Sequence, residues 1–257
     1  MSIGRLILTY RQDTILPLRE FYLGQKRTEF LVVGYNRELV DITGFNQSDN
    51  FKLLPYFGKG ENGNIAGQQY LAWLDTAKKY PEIGAWVIHD YDLLAKPSDQ
   101  EIFKHVQPKT YGSIGKAFAN WQQGMEGETT NDTFPYPYHY VSKDGKKDPD
   151  FLNAEKVLIK YFPASFENIP TILTGNSDFL AVFRADLLLL DDPKLSDLGV
   201  NGVDQVTHTV FSYNKRKQID LRDFFTASIS LDNDYPVLFD NNYDFSHPVK
   251  FWPAHIS

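Results

Sequence analysis

The sequence contains no cysteine, which excludes disulfide scaffolds, thiolate metal sites and cysteine nucleophiles in one step. It also lacks positive charge in excess: 26 Lys and Arg stand against 33 Asp and Glu, for a formal net charge of −7. A general grip on nucleic acid needs a basic stripe to neutralise phosphates, so no nucleic-acid partner is expected. One bound nucleotide stays compatible, because a metal ion can meet its phosphates. Long hydrophobic runs are missing as well. Nothing approaches the roughly 20 apolar residues that span a bilayer. The first residues, MSIGRLILTYRQD, carry an apolar run only at Leu6 to Leu8 and no signal-peptide core. A cytoplasmic protein without a membrane span is expected. Glycine is absent between Ile7 and Thr14, which argues against a dinucleotide-binding GxGxxG turn after the first strand.

What is present suffices for a folded core. The chain has 257 residues, 42% of them hydrophobic and 23% charged, which is ordinary for a globular protein that needs no staples. Gly4 to Tyr10 reads as a buried strand. Asp13 and Thr14 are N-cap types and Pro17 suits an early helical position, with Ile15, Leu18, Phe21 and Tyr22 on one helix face. Further strands are expected at Glu29 to Asn36, Phe51 to Pro55 and Ala85 to Ile88. Asn64 to Tyr80 is the clearest helix: Ala66, Tyr70, Trp73, Leu74 and Ala77 recur at helical spacing, and Pro81 stops it. Continuous apolar strands separated by helices predict an α/β fold with a mostly parallel central sheet covered on both faces. Ligands of such sheets bind beyond the carboxyl ends of the strands. That rim would carry Tyr10, Arg11, Asn36, Asp90 and Asp92.

Lys109 to Asp150 is rich in Gly, Pro, Tyr, Asn and charge and reads as long loops, which are commonly functional in a compact domain. Beyond it, Ala154 to Tyr161, Ala185 to Leu190 and Asn201 to Tyr213 read as helical and Asp178 to Phe183 as extended. The last 30 residues look irregular.

Residues two apart in a strand point to the same side. If strand geometry continues past Ile88, Asp90 and Asp92 aim together, with His89 and Tyr91 opposite. Two carboxylates converging at one rim repel each other unless a hard cation sits between them and phosphate. Acidic residues that merely end a strand are the plainer alternative.

AWVIHDYDLL, at the fourth strand of an α/β start, resembles the strand and DxD motif of the GT-A glycosyltransferases. The likeness covers the order of elements over residues 3 to 95 and, more loosely, 172 to 213. It implies a single GT-A (Rossmann-like) domain over residues 1–257, with 1–95 as the nucleotide-binding half and 96–257 as the acceptor-binding half and C-terminal tail. It further implies a nucleotide-sugar donor, a glycan or other hydroxyl acceptor, and Mn²⁺ or Mg²⁺ against the diphosphate. Asp92 would ligate the metal directly, and Asp90 would contact the ribose or a metal-bound water. Tyr10 and Arg11 match nucleotide-contacting positions, and Asn36 could hydrogen-bond the base.

Inverting members of that family use a general base near the start of a late helix. Gly202-Val203-Asp204 resembles that place and makes Asp204 the first candidate, although Val203 stands where a second acid is usual. An acid in a first helical turn also simply suits the helix dipole. Asp178, after the Gly175-Asn176 loop, is the second candidate. A C-terminal histidine often completes the metal shell in this family; His247 and His255 both qualify, and His255 is preferred because Phe251 to Pro253 could anchor the tail. Asp204 and His208, four apart on one helix, suit a metal pair less well than a surface hydrogen bond. Trp121 and Tyr138 are candidate acceptor contacts, since an aromatic face stacks on the C–H face of a pyranose. Two rival classes are a sugar nucleotidylyltransferase, disfavoured by the glycine-free first turn, and a non-catalytic carbohydrate-binding protein.

Overall fold

The first apolar run forms β1 (Ile3–Thr9), whose last six residues are buried. It lies between β2 (Leu31–Asn36) and β4 (Ala85–Asp90), with β3 (Phe51–Tyr56) beyond β2, and all four strands run parallel. The expected internal first strand and parallel sheet are therefore observed. The computed structural model describes residues 1–56, 65–115, 156–158, 160–162, 179–198, 203–229 and 242–247, the side chains of 65–69, 196–198, 203–205 and 229 excepted.

Three more strands extend the sheet past β4: β6 (Thr110–Ser113), β7 (Phe179–Phe183) and β8 (Lys217–Asp220), in the order β3-β2-β1-β4-β7-β6-β8. β7 is antiparallel to both neighbours, whereas β6 and β8 are parallel to each other. The expected α/β class with a mostly parallel sheet is the one observed. β6 corrects the reading of Lys109 onward as loop. Thr110-Tyr-Gly-Ser113 is short and carries a glycine, so its strand character comes from two sheet partners and not from its own propensity. A second sheet of three short strands runs β5 (Leu94–Ala95), β10 (Phe245–His247), β9 (Ala227–Ile229). It corrects the reading of the last 30 residues as irregular.

The sheet separates two apolar layers. Leu6, Leu8, Trp86, Ile88, Leu180 and Val182 pack against Tyr70, Trp73, Leu74 and Ala77 of α2 (Ile65–Lys79) and against Val206, Val210 and Phe211 of the last described helix, Val203–Tyr213. On the other face, Ile7, Val33 and Leu53 meet Ile15 and Leu18 of α1 (Ile15–Arg19) and then Phe21 and Tyr22. That helical stretch is irregular: a 3-10 turn at Gln12–Thr14 precedes α1, and a π-helical turn, Glu20–Gly24, follows it. Next to it, Val87, Phe179 and Ala181 pack against Ile102 of α3 (Asp99–Ile102) and Phe245 of β10. Gly4 is required where Trp86 crosses β1, since a Cβ there would lie 2.7 Å from the indole ring. Further helices among the described residues include α4 (Arg184–Leu187) and α5 (Val203–Tyr213).

A pair of charged side chains lies within the second layer. Arg5 on β1 is fully buried and forms an ion pair with Asp99, also buried, at 2.5 Å. Removing one partner of such a pair typically costs about 3–5 kcal/mol, because the other charge is left buried. His208 is buried too. Its Nδ1 lies 2.8 Å from the Tyr111 hydroxyl, so it belongs to the core and not to a surface contact with Asp204.

Candidate active site

The carboxyl ends of β1, β2, β3 and β4 lie side by side, because Thr9 pairs with Tyr35, Asn36 with Tyr56 and Leu8 with Asp90. Tyr10, Arg11, Asn36 and Asp90 therefore share one rim, as the sequence predicts. Tyr10 is 46% exposed. Its ring meets Tyr91 edge-on at 5.0 Å, and the Tyr91 hydroxyl donates to the Tyr10 hydroxyl at 2.7 Å. Burial first, and then this bond and the Asp92 charge, hold the Tyr91 phenol above its ordinary pKa. The Tyr56 hydroxyl donates to the Thr9 carbonyl at 3.1 Å. Burial, followed by the charge of Asp90, raises its pKa. Asp90 thus lies on the Trp86, Ile88 and Tyr56 side of the sheet.

Arg11 and Asn36 have local duties. Arg11 makes an exposed ion pair with Asp13 at 2.5 Å, and that bond raises the guanidinium pKa while lowering the carboxyl pKa. Asn36 is buried, and its side-chain oxygen accepts the Glu38 N–H at 2.9 Å. It is a turn former whose acceptor atom is already committed.

Strand geometry ends at Asp90. Tyr91 and Asp92 form a turn, closed by the Leu93 N–H donating to the Asp90 carbonyl at 3.2 Å. The premise that alternation carries through to Asp92 is corrected here. Asp92 Oδ1 instead lies 3.8 Å from Nε2 of His247. β5 follows two residues after Asp92, and its antiparallel pairing with β10 matches Leu94 with Ser246 and Ala95 with Phe245. His247, the next residue of β10, is carried to the aspartate by that register. Its Nδ1 is buried and meets no partner among the described residues.

His89, which lies between Ile88 and Asp90, faces away from the rim. Its Nδ1 donates to the Asp90 carbonyl at 2.8 Å and its ring stacks on Phe179 at 5.9 Å. Burial, then the charge of Arg5, lowers its pKa to about 3. It is a neutral core histidine that braces the turn.

Of the two C-terminal histidines, His247 is among the described residues and lies near Asp92. His255 lies outside the described residues, as do Asp178, Trp121 and Tyr138. Asp204 is the second residue of α5, and its side chain is not described. Among the described residues no group of three or more His, Asp and Glu side chains is gathered as a metal site. No helix among them is long and apolar enough to cross a membrane. Nothing in Asp244-Phe-Ser-His247 announces a strand that pairs with Leu94 and Ala95.

No known protein family and no curated protein matches the chain. The solved structures to which the chain bears a partial likeness include three glycosyltransferases. One is a glycosyltransferase involved in glycosylation of the major capsid of PBCV-1, with 12% identity, TM-score 0.42, and 89% of this chain and 85% of that one covered. Mouse xyloside xylosyltransferase 1 gives 11%, 0.44, and 96% and 97%. The bifunctional glycosyltransferase WbbM gives 12%, 0.45, and 89% and 40%. At that level of likeness no role of any residue is transferred from them to this chain.

Proposed function

We propose that this chain is a metal-dependent glycosyltransferase of the GT-A type, moving a sugar from a nucleotide-sugar to a hydroxyl of a glycan or small-molecule acceptor. The observation that carries the reading is the approach of Asp92 to His247 at the carboxyl rim of a parallel sheet. Their 3.8 Å separation is too long for a hydrogen bond. The two side chains would instead hold one ion between them. A carboxylate and an imidazole supply two donors, and a hard divalent ion commonly takes its remaining ligands from water and substrate phosphate. The residues therefore fit Mn²⁺ or Mg²⁺. When bound, the ion offsets charge that grows on the departing nucleoside diphosphate.

The chain's own groups divide the remaining work. Asp92 and His247 hold the metal, and Asp90 contacts the ribose or a metal-bound water. The exposed Tyr10 ring, steadied by Tyr91, contacts the nucleotide. Arg11, its charge shared with Asp13, contributes less than a lone guanidinium would. Asn36, whose side-chain oxygen already accepts the Glu38 N–H, offers the base its amide N–H groups. In the transfer step the acceptor oxygen attacks the anomeric carbon as the bond to the diphosphate oxygen breaks. The hydroxyl proton passes to Asp204, or to Asp178 as second candidate. Trp121 and Tyr138 form the acceptor wall. In this reading residues 1–95 are the donor half and 96–257 the acceptor half.

The test is to incubate the protein with a panel of nucleoside diphosphate sugars, with and without Mn²⁺, and to follow nucleoside diphosphate release by chromatography. Slow metal-dependent hydrolysis of one donor, without acceptor, is expected. Tight donor binding with no release under any condition would make the protein a carbohydrate-binding module, and release of pyrophosphate from a nucleoside triphosphate and sugar phosphate would make it a nucleotidylyltransferase.

A further inference from the structure

Arg5 and Asp99 take no part in the site just described, yet they hold the stretch of chain that leads away from it. The Arg5 guanidinium places Nε 2.7 Å from Asp99 Oδ1 and Nη2 2.5 Å from the same oxygen. Nη2 also donates to the Pro97 carbonyl at 3.1 Å, and Nη1 to the Ala95 carbonyl at 3.4 Å. The Tyr22 ring stacks on the guanidinium at 4.3 Å, and its hydroxyl accepts the Ala95 N–H at 3.2 Å. One planar fork on β1 thus grips three points of residues 95–99. An apolar residue would fill the same layer without the desolvation of two charges. What it could not do is fix the backbone of β5 at a set height above β1.

That height matters because β5 is the only element joining Asp92 to β10 among the described residues. The Lys96 N–H donates to the Asp244 carbonyl at 2.8 Å, and Leu94 and Ala95 pair with Ser246 and Phe245. We propose that the buried Arg5–Asp99 pair is a positioning device for the metal site: by locking β5 onto β1 it fixes the register in which β10 brings His247 to Asp92. The inference rests on the proposed metal-dependent reading, but its structural half can be measured without any metal.

The experiment compares the wild-type protein with the Arg5→Met/Asp99→Leu double variant, which removes both charges, and with Arg5→Lys, which keeps the charge but loses the fork. A Lys78→Ala/Asp191→Ala variant, which breaks an exposed pair elsewhere, is the control. Amide deuterium exchange is followed in peptides covering 93–99 and 242–247, and Mn²⁺ affinity is measured by calorimetry in the presence of a nucleoside diphosphate. The double variant is expected to melt cooperatively and to exchange faster at both peptides, with β2 and β3 unchanged. Its Mn²⁺ affinity should fall about 10–100-fold, the range seen when outer-shell partners of a ligand are lost. Arg5→Lys should lie between it and the wild type, and the control should match the wild type. Unchanged Mn²⁺ affinity in a folded double variant would overturn the proposal, even if exchange rose. So would unchanged exchange at 242–247. If the double variant fails to fold, wild-type behaviour of Arg5→Lys in both measurements overturns it. Failure of the wild-type protein to bind Mn²⁺ would instead remove the metal reading itself, and the exchange data would then say only whether Arg5 and Asp99 fix β10.

Discussion

Nε2 of His247 and Oδ1 of Asp92 stand 3.8 Å apart, joined through the pairing of two strands of only two and three residues. The aspartate stands in the turn that follows β4, and the histidine comes from β10, more than 150 residues further along the chain. Neither β5 nor β10 is long enough to be stable alone, so their meeting depends on what holds them: Phe245 buried against Phe179 on one side and the Arg5 fork on the other.

His247→Ala should therefore weaken Mn²⁺ binding by at least about tenfold, as a lost ligand costs no less than a lost outer-shell partner. His255→Ala should do less. Calorimetric titration of both variants with a nucleoside diphosphate present decides between them, and a larger effect at His255 would return the metal shell to the extreme C-terminus.

Transfer chemistry separates the two candidate bases. Asp204→Asn should leave metal-dependent nucleotide binding unchanged while cutting transfer about 100-fold or more, the scale of lost acid–base catalysis. Asp178→Asn should act mainly on apparent acceptor affinity. The reverse ranking would move the base to Asp178. Near-normal transfer in both would point to a retaining reaction, with the departing phosphate taking the acceptor proton, and NMR of the product anomer would check that outcome.

Tyr138→Ala should weaken acceptor use and leave donor binding intact, measured as a rise in apparent acceptor KM at saturating donor. A matched loss of nucleotide affinity would place Tyr138 on the donor side.

Asp220 contributes to the pH dependence of stability. Asp220 accepts the Gly115 N–H at 3.2 Å and pairs with Arg222 at 2.7 Å. Burial alone would raise its pKa, but the Arg222 bonds and the backbone N–H groups outweigh that and leave it lowered. A carboxyl whose folded value is lowered adds stability above its unfolded value, near 3.9, and loses it as the pH falls through the folded value. Asp220→Asn should thus lower the melting temperature at neutral pH, and its gap from wild type should close below about pH 4. A gap that persists at acid pH would contradict this.

The first 90 residues were legible because their strands are long, apolar and buried on both faces, as Leu6 to Leu8 and Trp86 to Ile88 are. Such runs announce themselves without their partners. β6, β8 and β10 do not: Thr110-Tyr-Gly-Ser113, Lys217-Gln-Ile-Asp220 and Phe245-Ser-His247 are three or four residues long and gain strand character only from neighbours far away in sequence. The rim was legible for the same reason the long strands were, since each strand end sits beside the next. The turn at Tyr91 and Asp92 was not, nor was the approach of His247 to Asp92. Arg5, a lone arginine inside an apolar run, carries no signal in the sequence of its partner at Asp99.

The most direct measurement is calorimetric titration of nucleoside diphosphate into wild-type protein and Asp92→Asn, each in Mn²⁺ and in EDTA. The variant keeps the size of the side chain and removes its charge. Wild-type affinity should be higher in Mn²⁺ than in EDTA, and Asp92→Asn should remove that difference while its melting temperature stays near the wild-type value. Equal wild-type affinity in Mn²⁺ and EDTA, or an undiminished metal effect in Asp92→Asn, would contradict a metal-bridged donor site at Asp92.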